Sequence, residues 1–159
     1  MLMLNSFKEN ITKLIGKESK IIIAVSGGID SIVLVDLISK INFNFAIAHC
    51  NFKLRGLESD EDEKFVKSIS KKYNCKYFST SFETEKHSKN KKISIQMAAR
   101  ELRYDWFNKI VTNHKFKFIL TAHHADDQVE TILLNLIRGT GINGLTGIKP
   151  INKKIVRPL

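Results

Sequence analysis

Apolar residues at Leu4, Phe7, Ile11, Leu14 and Ile15 recur three or four positions apart, the period of one helix face, and Gly16 is placed to stop that helix. The next run, Ile21 to Val25, is continuous rather than alternating, which predicts a strand buried on both faces. It breaks at Ser26-Gly27-Gly28-Ile29-Asp30-Ser31, and a second apolar run from Ile32 to Ile38 reads as a helix covered on most sides. Phe43 to Ala48 predicts a second strand ending at His49, followed by a loop from Asn51 to Gly56. Ser59-Asp60-Glu61-Asp62-Glu63 then places a cap and four acids at a helix start, with Phe65, Val66, Ile69 and Tyr73 as the apolar face. That acidic run reads as helix-end chemistry rather than a metal site.

Cys75 to Phe78 predicts a third, shorter strand. The stretch from Ser81 to Lys92 is polar and basic with little to bury, which predicts a mobile loop; contact with RNA phosphates is the sharper reading. Ser94 is placed to cap a long helix to about Asn113, in which Ala98, Leu102, Trp106 and Ile110 repeat every fourth residue. Arg100, Arg103 and Tyr104 lie off that stripe, available to a ligand. Phe116 to Ala122 predicts a strand, Ala125 to Ile137 a helix stopped by Gly139 and Gly141, and Ile155 to Leu159 a final strand. The alternation predicts an α/β fold, a parallel twisted sheet of about five strands with helices on both faces. Ligands on such sheets bind beyond the strand carboxyl ends, where the glycine loop, His49 and His123 all fall.

Composition narrows this picture only a little. The 159 residues suit one domain, and 43% hydrophobic with 26% charged residues is ordinary for a globular chain. A net charge of +10 attracts polyanions such as RNA, or else marks a solvated lysine-rich face. No apolar run approaches the length of a membrane span, and the segment from Met1 to Leu14 lacks the apolar core of a signal peptide, so a cytoplasmic protein is expected. Cys50 and Cys75 are too few for a disulfide framework and form no C-x-x-C pair; Cys50, beside His49, is expected to be a buried inert thiol rather than a ligand or reactive group, and no zinc or iron–sulfur site is expected.

The glycine loop carries the clearest chemistry. Adjacent glycines let a ligand approach the backbone, Ser26 and Ser31 add hydroxyls, and the following helix start favours an anion, so the loop reads as a phosphate cradle. It lacks the lysine of a Walker loop, so phosphate charge must be met by backbone amides, a metal or arginines from elsewhere. Asp30, at or next to the helix N-cap, could cap the helix or hold Mg²⁺. A second constellation, His123-His124-Ala125-Asp126-Asp127-Gln128-Val129-Glu130-Thr131, puts Asp127 on one helical face with His124 and Glu130. Three readings stand: helix-end acids, a His/Asp site for a hydrolytic metal, or acids facing the cradle that hold Mg²⁺ and a cationic substrate while a histidine orients the reacting group.

Together these residues resemble the N-type ATP pyrophosphatase, or PP-loop, superfamily, whose phosphate loop is S-G-G-x-D-S, here Ser26 to Ser31. Within it the chain is most similar to the tRNA(Ile)-lysidine synthase family, through His49-Cys50-Asn51, Ala98-Ala99-Arg100 with Arg103-Tyr104, His123 through Thr131, and Arg138-Gly139-Thr140-Gly141 with Gly144-Leu145. The paired cysteines expected of related tRNA thiolation enzymes are missing. Phe52 stands where the family often has a second histidine.

The resemblance implies an adenine nucleotide alpha hydrolase-like fold and ligation of free L-lysine to C2 of the wobble cytidine of tRNA(Ile). ATP would adenylate the C2 oxygen with loss of pyrophosphate, and the lysine amine would then displace AMP. It implies ATP binding by Ser26, Gly27, Gly28, Ile29, Asp30, Ser31 and His49, and Mg²⁺ held by Asp30 and Asp127. It further implies phosphate or adenylate contact by Arg100 or Arg103, and lysine placement by His123, Asp127 and Glu130. The family continues into helical and tRNA-binding regions where this chain stops at Arg157-Pro158-Leu159, so residues 1–159 are expected to be one catalytic domain cut before them. Oligomeric state stays open, with a homodimer as one reading. The alternatives are another PP-loop adenylating ligase or amidotransferase, a metal-dependent phosphohydrolase, and a nucleotide-binding module without catalysis.

Overall fold

A computed structural model describes residues 2–123, 137 and 150–159. The expected helix over Ala125 to Ile137, apart from Ile137, and the residues 138–149 after it lie outside the described residues, and with them Asp127 and Glu130. In chain order the elements are α1 (Leu2–Ile15), β1 (Ile21–Ala24), α2 (Ile29–Lys40), β2 (Phe45–Asn51), α3 (Leu57–Lys72), β3 (Lys76–Ser81), α4 (Thr84–Lys91), α5 (Ile95–Asn113), β4 (Phe118–Leu120), β5 (Ile151–Asn152) and β6 (Ile155–Val156).

The strands form one sheet in the order β3-β2-β1-β4-β6-β5. Every neighbouring pair is parallel except the terminal β5–β6 hairpin, where Ile151 faces Val156. The apolar run of β1 earns its central place by burying both faces. Ile21 and Ile23 join Leu34, Val35 and Ile38 of α2, Phe7 and Ile11 of α1 and Val66 of α3 in one core. Ile22 points the other way, into a second core with Ala46, Ala48, Ile119 and Phe107, Ile110 and Val111 of α5. Helices therefore cover both faces, as the alternation of elements predicts.

Local chemistry sets the helix ends. Ser94 caps α5 by accepting from the Met97 N–H at 3.2 Å, as expected from the sequence. Two expectations are corrected. Helix α3 starts at Leu57 behind Gly56, so Ser59 is not its cap; its Oγ instead reaches back and accepts from the Arg55 N–H at 3.1 Å. The polar stretch from Ser81 to Lys92 is not a loop, because most of it forms the end of β3 and α4. What α4 buries is Thr84 and Ser88, one turn apart: Thr84 Oγ1 donates to the Phe52 carbonyl at 2.8 Å and Ser88 Oγ to the Ile93 carbonyl at 2.6 Å. His87 and Lys91 both reach Glu101 of α5. Helix α4 is thus fastened by hydroxyls and charges rather than by an apolar stripe.

The chain runs outward from β1 to β2 to β3, then returns to place β4 on the other side of β1. The strand order thus reverses direction between β1 and β4, and the crevice beyond the carboxyl ends at such a switch point is where a doubly wound sheet binds ligands.

Candidate active site

The glycine loop fills the start of that crevice. Gly27 has φ +101°, a conformation costly for any residue with a Cβ, and a Cβ there would stand 3.3 Å from Asp62 Oδ1. Ser26 Oγ accepts from the Gly28 N–H at 3.2 Å, and Ser31 Oγ donates to the Gly28 carbonyl at 2.7 Å. Gly28 is the N-cap of α2 and supplies no side-chain cap, so the first helical turn, Ile29 to Ser31, opens toward whatever occupies the loop. Backbone donors and the positive end of the helix dipole meet there, which suits an anion.

Beside the loop lies a cavity of about 420 Å³. Its walls come from the β1 end with Ser26, Gly28, Asp30 and Ser31, the β2 end with His49, and the β4 end with His123. Arg103 and Tyr104 of α5 close another side. Strand β2 runs on to Asn51, so His49 lies inside the strand rather than at its end. The imidazole is buried, 3% exposed, and its Nδ1–H donates to the Val25 carbonyl at 2.8 Å. In the neutral ring that bond leaves Nε2 as the lone-pair acceptor, and Nε2 has no hydrogen-bond partner among the described residues. A buried acceptor in a cavity wall suits a ligand that brings an N–H or O–H donor. His123 Nδ1 shares a 2.9 Å hydrogen bond with Thr121 Oγ1, which orients its ring at the β4 end.

Of the residues expected from the sequence, Ser26, Gly28, Asp30, Ser31, His49, Arg103 and His123 line this one cavity, with Gly27 and Ile29 in the same loop. Arg100 is not brought into its walls; the guanidinium sits 5.0 Å from the Tyr104 ring centroid on the exposed side of α5. Cys50 also lines the cavity, and burial pushes its thiol up to about 12, against the opposing charge of Arg103, so it stays protonated.

Sequence reasoning missed Arg55 and Asp62, which line the cavity as an ion pair, with Glu58 3.9 Å from the same guanidinium. Asn51 fixes this corner by donating to Asp60 at 2.8 Å and Glu63 at 3.1 Å. The available signal was position, since Arg55 lies in the short loop between the carboxyl end of β2 at Asn51 and the start of α3 at Leu57. Among the described residues, no group of three or more His, Cys, Asp or Glu side chains is arranged to hold a metal.

Residues 3–159 match the family described as the PP-loop domain. The chain is 51% identical over 142 residues to the tRNA(Ile)-lysidine synthase of Bacteroides thetaiotaomicron, covering 89% of this chain and 33% of that protein. It is 44% identical over 140 residues to the tRNA(Ile)-lysidine synthase of Porphyromonas gingivalis strain W83, covering 87% of this chain and 31% of the relative. The chain therefore spans about a third of the length of these curated relatives. Among solved structures it resembles the U34-tRNA thiolase NcsA from Methanococcus maripaludis with its [4Fe-4S] cluster, at TM-score 0.73 and 20% identity, covering 98% of this chain and 59% of the other. That likeness speaks to the fold. No helix among the described residues is long and apolar enough to cross a membrane.

Proposed function

The chain belongs to the PP-loop domain family, and from that premise we propose that it is the ATP-using catalytic domain of a tRNA(Ile)-lysidine synthase. The reaction is ligation of free L-lysine to C2 of the wobble cytidine. The observation that carries the reading is convergence: the lysine-free phosphate loop, Arg103 and His123 come from distant parts of the chain and line one cavity at the switch point of the sheet.

In the first step the cytidine C2 oxygen attacks the α-phosphorus of ATP, the bond to the bridging oxygen breaks, and pyrophosphate leaves. Ser26, Gly28, Ser31 and the first turn of α2 receive the leaving pyrophosphate, and Arg103 stabilises charge on the phosphates. His49 Nε2 accepts a hydrogen bond from a donor of the nucleotide. In the second step the lysine ε-amine attacks C2, AMP departs, and one ε-amine proton passes to a carboxylate. His123, which lines the cavity, acts on the substrate amine together with Asp127 and Glu130 in this proposal.

Asp30 lines the cavity from the first turn of α2, and one carboxylate beside substrate phosphates is a donor set that suits Mg²⁺, with Asp127 as a second proposed ligand. Mg²⁺ held there would supply charge neutralisation to the departing pyrophosphate.

The test is pyrophosphate release by the full-length protein with ATP, lysine and tRNA(Ile) supplied singly and together. The reading requires release that depends on tRNA and is lost in Asp30→Ala. Release with ATP and a small molecule but no RNA would replace it with another PP-loop ligase.

A further inference from the structure

Arg103 stands in the cavity wall without a carboxylate partner among the described residues, and what lies against it instead is an aromatic ring. Its Cζ is 5.1 Å from the ring centroid of Phe52, within the range of a cation–π contact. Phe52 is itself held from two directions. Its ring stacks on Phe82 with centroids 5.6 Å apart and planes inclined by 25°. Its carbonyl accepts from Thr84 Oγ1 at 2.8 Å, and Thr84 is 1% exposed. The Phe82 N–H donates to the Asn51 carbonyl at 2.8 Å, so the backbones beneath both rings are tied together.

We infer that Phe52 is the positioning residue for Arg103. A carboxylate in this place would fix the guanidinium equally well, but it would cancel the charge and occupy the N–H donors that a phosphate needs. An aromatic face attracts the cation and takes no hydrogen bond in its plane, so the donors remain available to the nucleotide. Phenylalanine also carries no titratable group, so the support it gives is independent of pH. Helix α4 thereby acquires a part in the site: its buried Thr84 pins the residue that holds the arginine. This inference rests on the proposed role of Arg103 toward ATP.

The experiment uses the full-length protein and compares Phe52→Leu, Phe52→Tyr, Phe52→His, Arg103→Ala and the Phe52→Leu/Arg103→Ala double variant. For each, thermal unfolding and the kcat/KM for ATP in tRNA-dependent pyrophosphate release are measured. Phe52→Leu is expected to lower kcat/KM by roughly 3- to 30-fold, the scale of one partly desolvated cation–π contact, and Phe52→Tyr to restore it. Phe52→Leu should add nothing further to Arg103→Ala. Phe52→His should lose more activity than the wild type as pH falls through the ordinary histidine pKa of about 6.5, because an imidazolium at position 52 repels the guanidinium.

Wild-type kinetics in Phe52→Leu, losses that multiply in the double variant, or a Phe52→His profile superimposable on wild type would each overturn the inference while leaving the functional reading intact. Should Phe52→Leu unfold, the tyrosine rescue and the histidine profile decide the matter. A wild type that releases no pyrophosphate with all three substrates overturns the functional reading, and this inference with it.

Discussion

Replacing Gly27 by alanine separates two costs that the structure places at one residue. The first is conformational, because φ +101° is a region an L-residue with a Cβ rarely adopts, and such strain costs about 1–3 kcal/mol. The second is a contact: the new Cβ would lie 3.3 Å from Asp62 Oδ1 and 3.5 Å from Asp62 Cβ, so α3 or the loop must give by a few tenths of an ångström. For a chain of this size 1 kcal/mol corresponds to about 2–4 °C in Tm, so Gly27→Ala should unfold about 2–12 °C below wild type. Binding of a non-hydrolysable ATP analogue should weaken as well, since the loop must shift to relieve the contact. The neighbouring glycine is the control. Gly28 has φ −70° and ψ 158°, which alanine accepts, and its added Cβ would be 3.4 Å from Ser26 Oγ. Gly28→Ala should therefore leave Tm within a few degrees of wild type, with a gain of about 0.4–1 kcal/mol from the restricted unfolded chain offsetting the contact. Asp62→Ala removes the 3.3 Å contact but also the ion pair with Arg55, so it is the reference: adding Gly27→Ala to Asp62→Ala should cost less than Gly27→Ala costs the wild type, yet not nothing, because the strain remains. Differential scanning calorimetry and titration calorimetry read these quantities. Equal melting temperatures for Gly27→Ala, Gly28→Ala and wild type would refute the reasoning.

Two further predictions follow from the cavity and its surroundings. Burial raises the Cys50 thiol to about 12 and Cys75 to about 11, so at pH 8 both should react with iodoacetamide far more slowly in the folded protein than in urea; native-state labelling at the unfolded rate would contradict this. The Glu101 carboxyl is held below its usual range, first by its hydrogen bond from Lys91 and then by that from His87. A depressed carboxylate contributes stability that is present above the ordinary carboxylate range and lost as pH falls through its folded value. The protection factors of the α4 amides, exchange rates corrected for the intrinsic rate at each pH, should accordingly fall at acidic pH and in Glu101→Gln, and unchanged protection in that variant would show that the hydroxyl contacts alone fasten the helix.

The sequence made some parts of this molecule legible because their signals are local. The apolar run from Ile21, the turn at Gly27-Gly28 and the cap at Ser94 are written in consecutive residues, and the strand, the turn and the capped helix form as read. Helix α4 was hidden because counting apolar residues cannot see a buried face made of Thr84 and Ser88. Asp62 was hidden for a different reason. Acids near a helix start have a sufficient explanation in the helix dipole, and only the folded chain brings this one against Gly27 and onto Arg55. Arg100 and Arg103 are indistinguishable by sequence pattern, but three residues of helix carry one into the cavity wall and leave the other over Tyr104. Phe52 gave only the hint of an unusual residue at its place; its partner on α5 is a long-range contact that no spacing rule reports.

The most direct test of the central claim follows the lysine. Full-length protein is incubated with ATP, isotopically labelled L-lysine and an unmodified tRNA(Ile) transcript, and the nucleosides of the recovered tRNA are examined by mass spectrometry alongside AMP and pyrophosphate. The account predicts label on the wobble cytidine alone, with one AMP and one pyrophosphate formed per lysine attached and none of the three in Asp30→Ala. Formation of AMP and pyrophosphate with no lysine on the tRNA, at any ATP or lysine concentration, would contradict it.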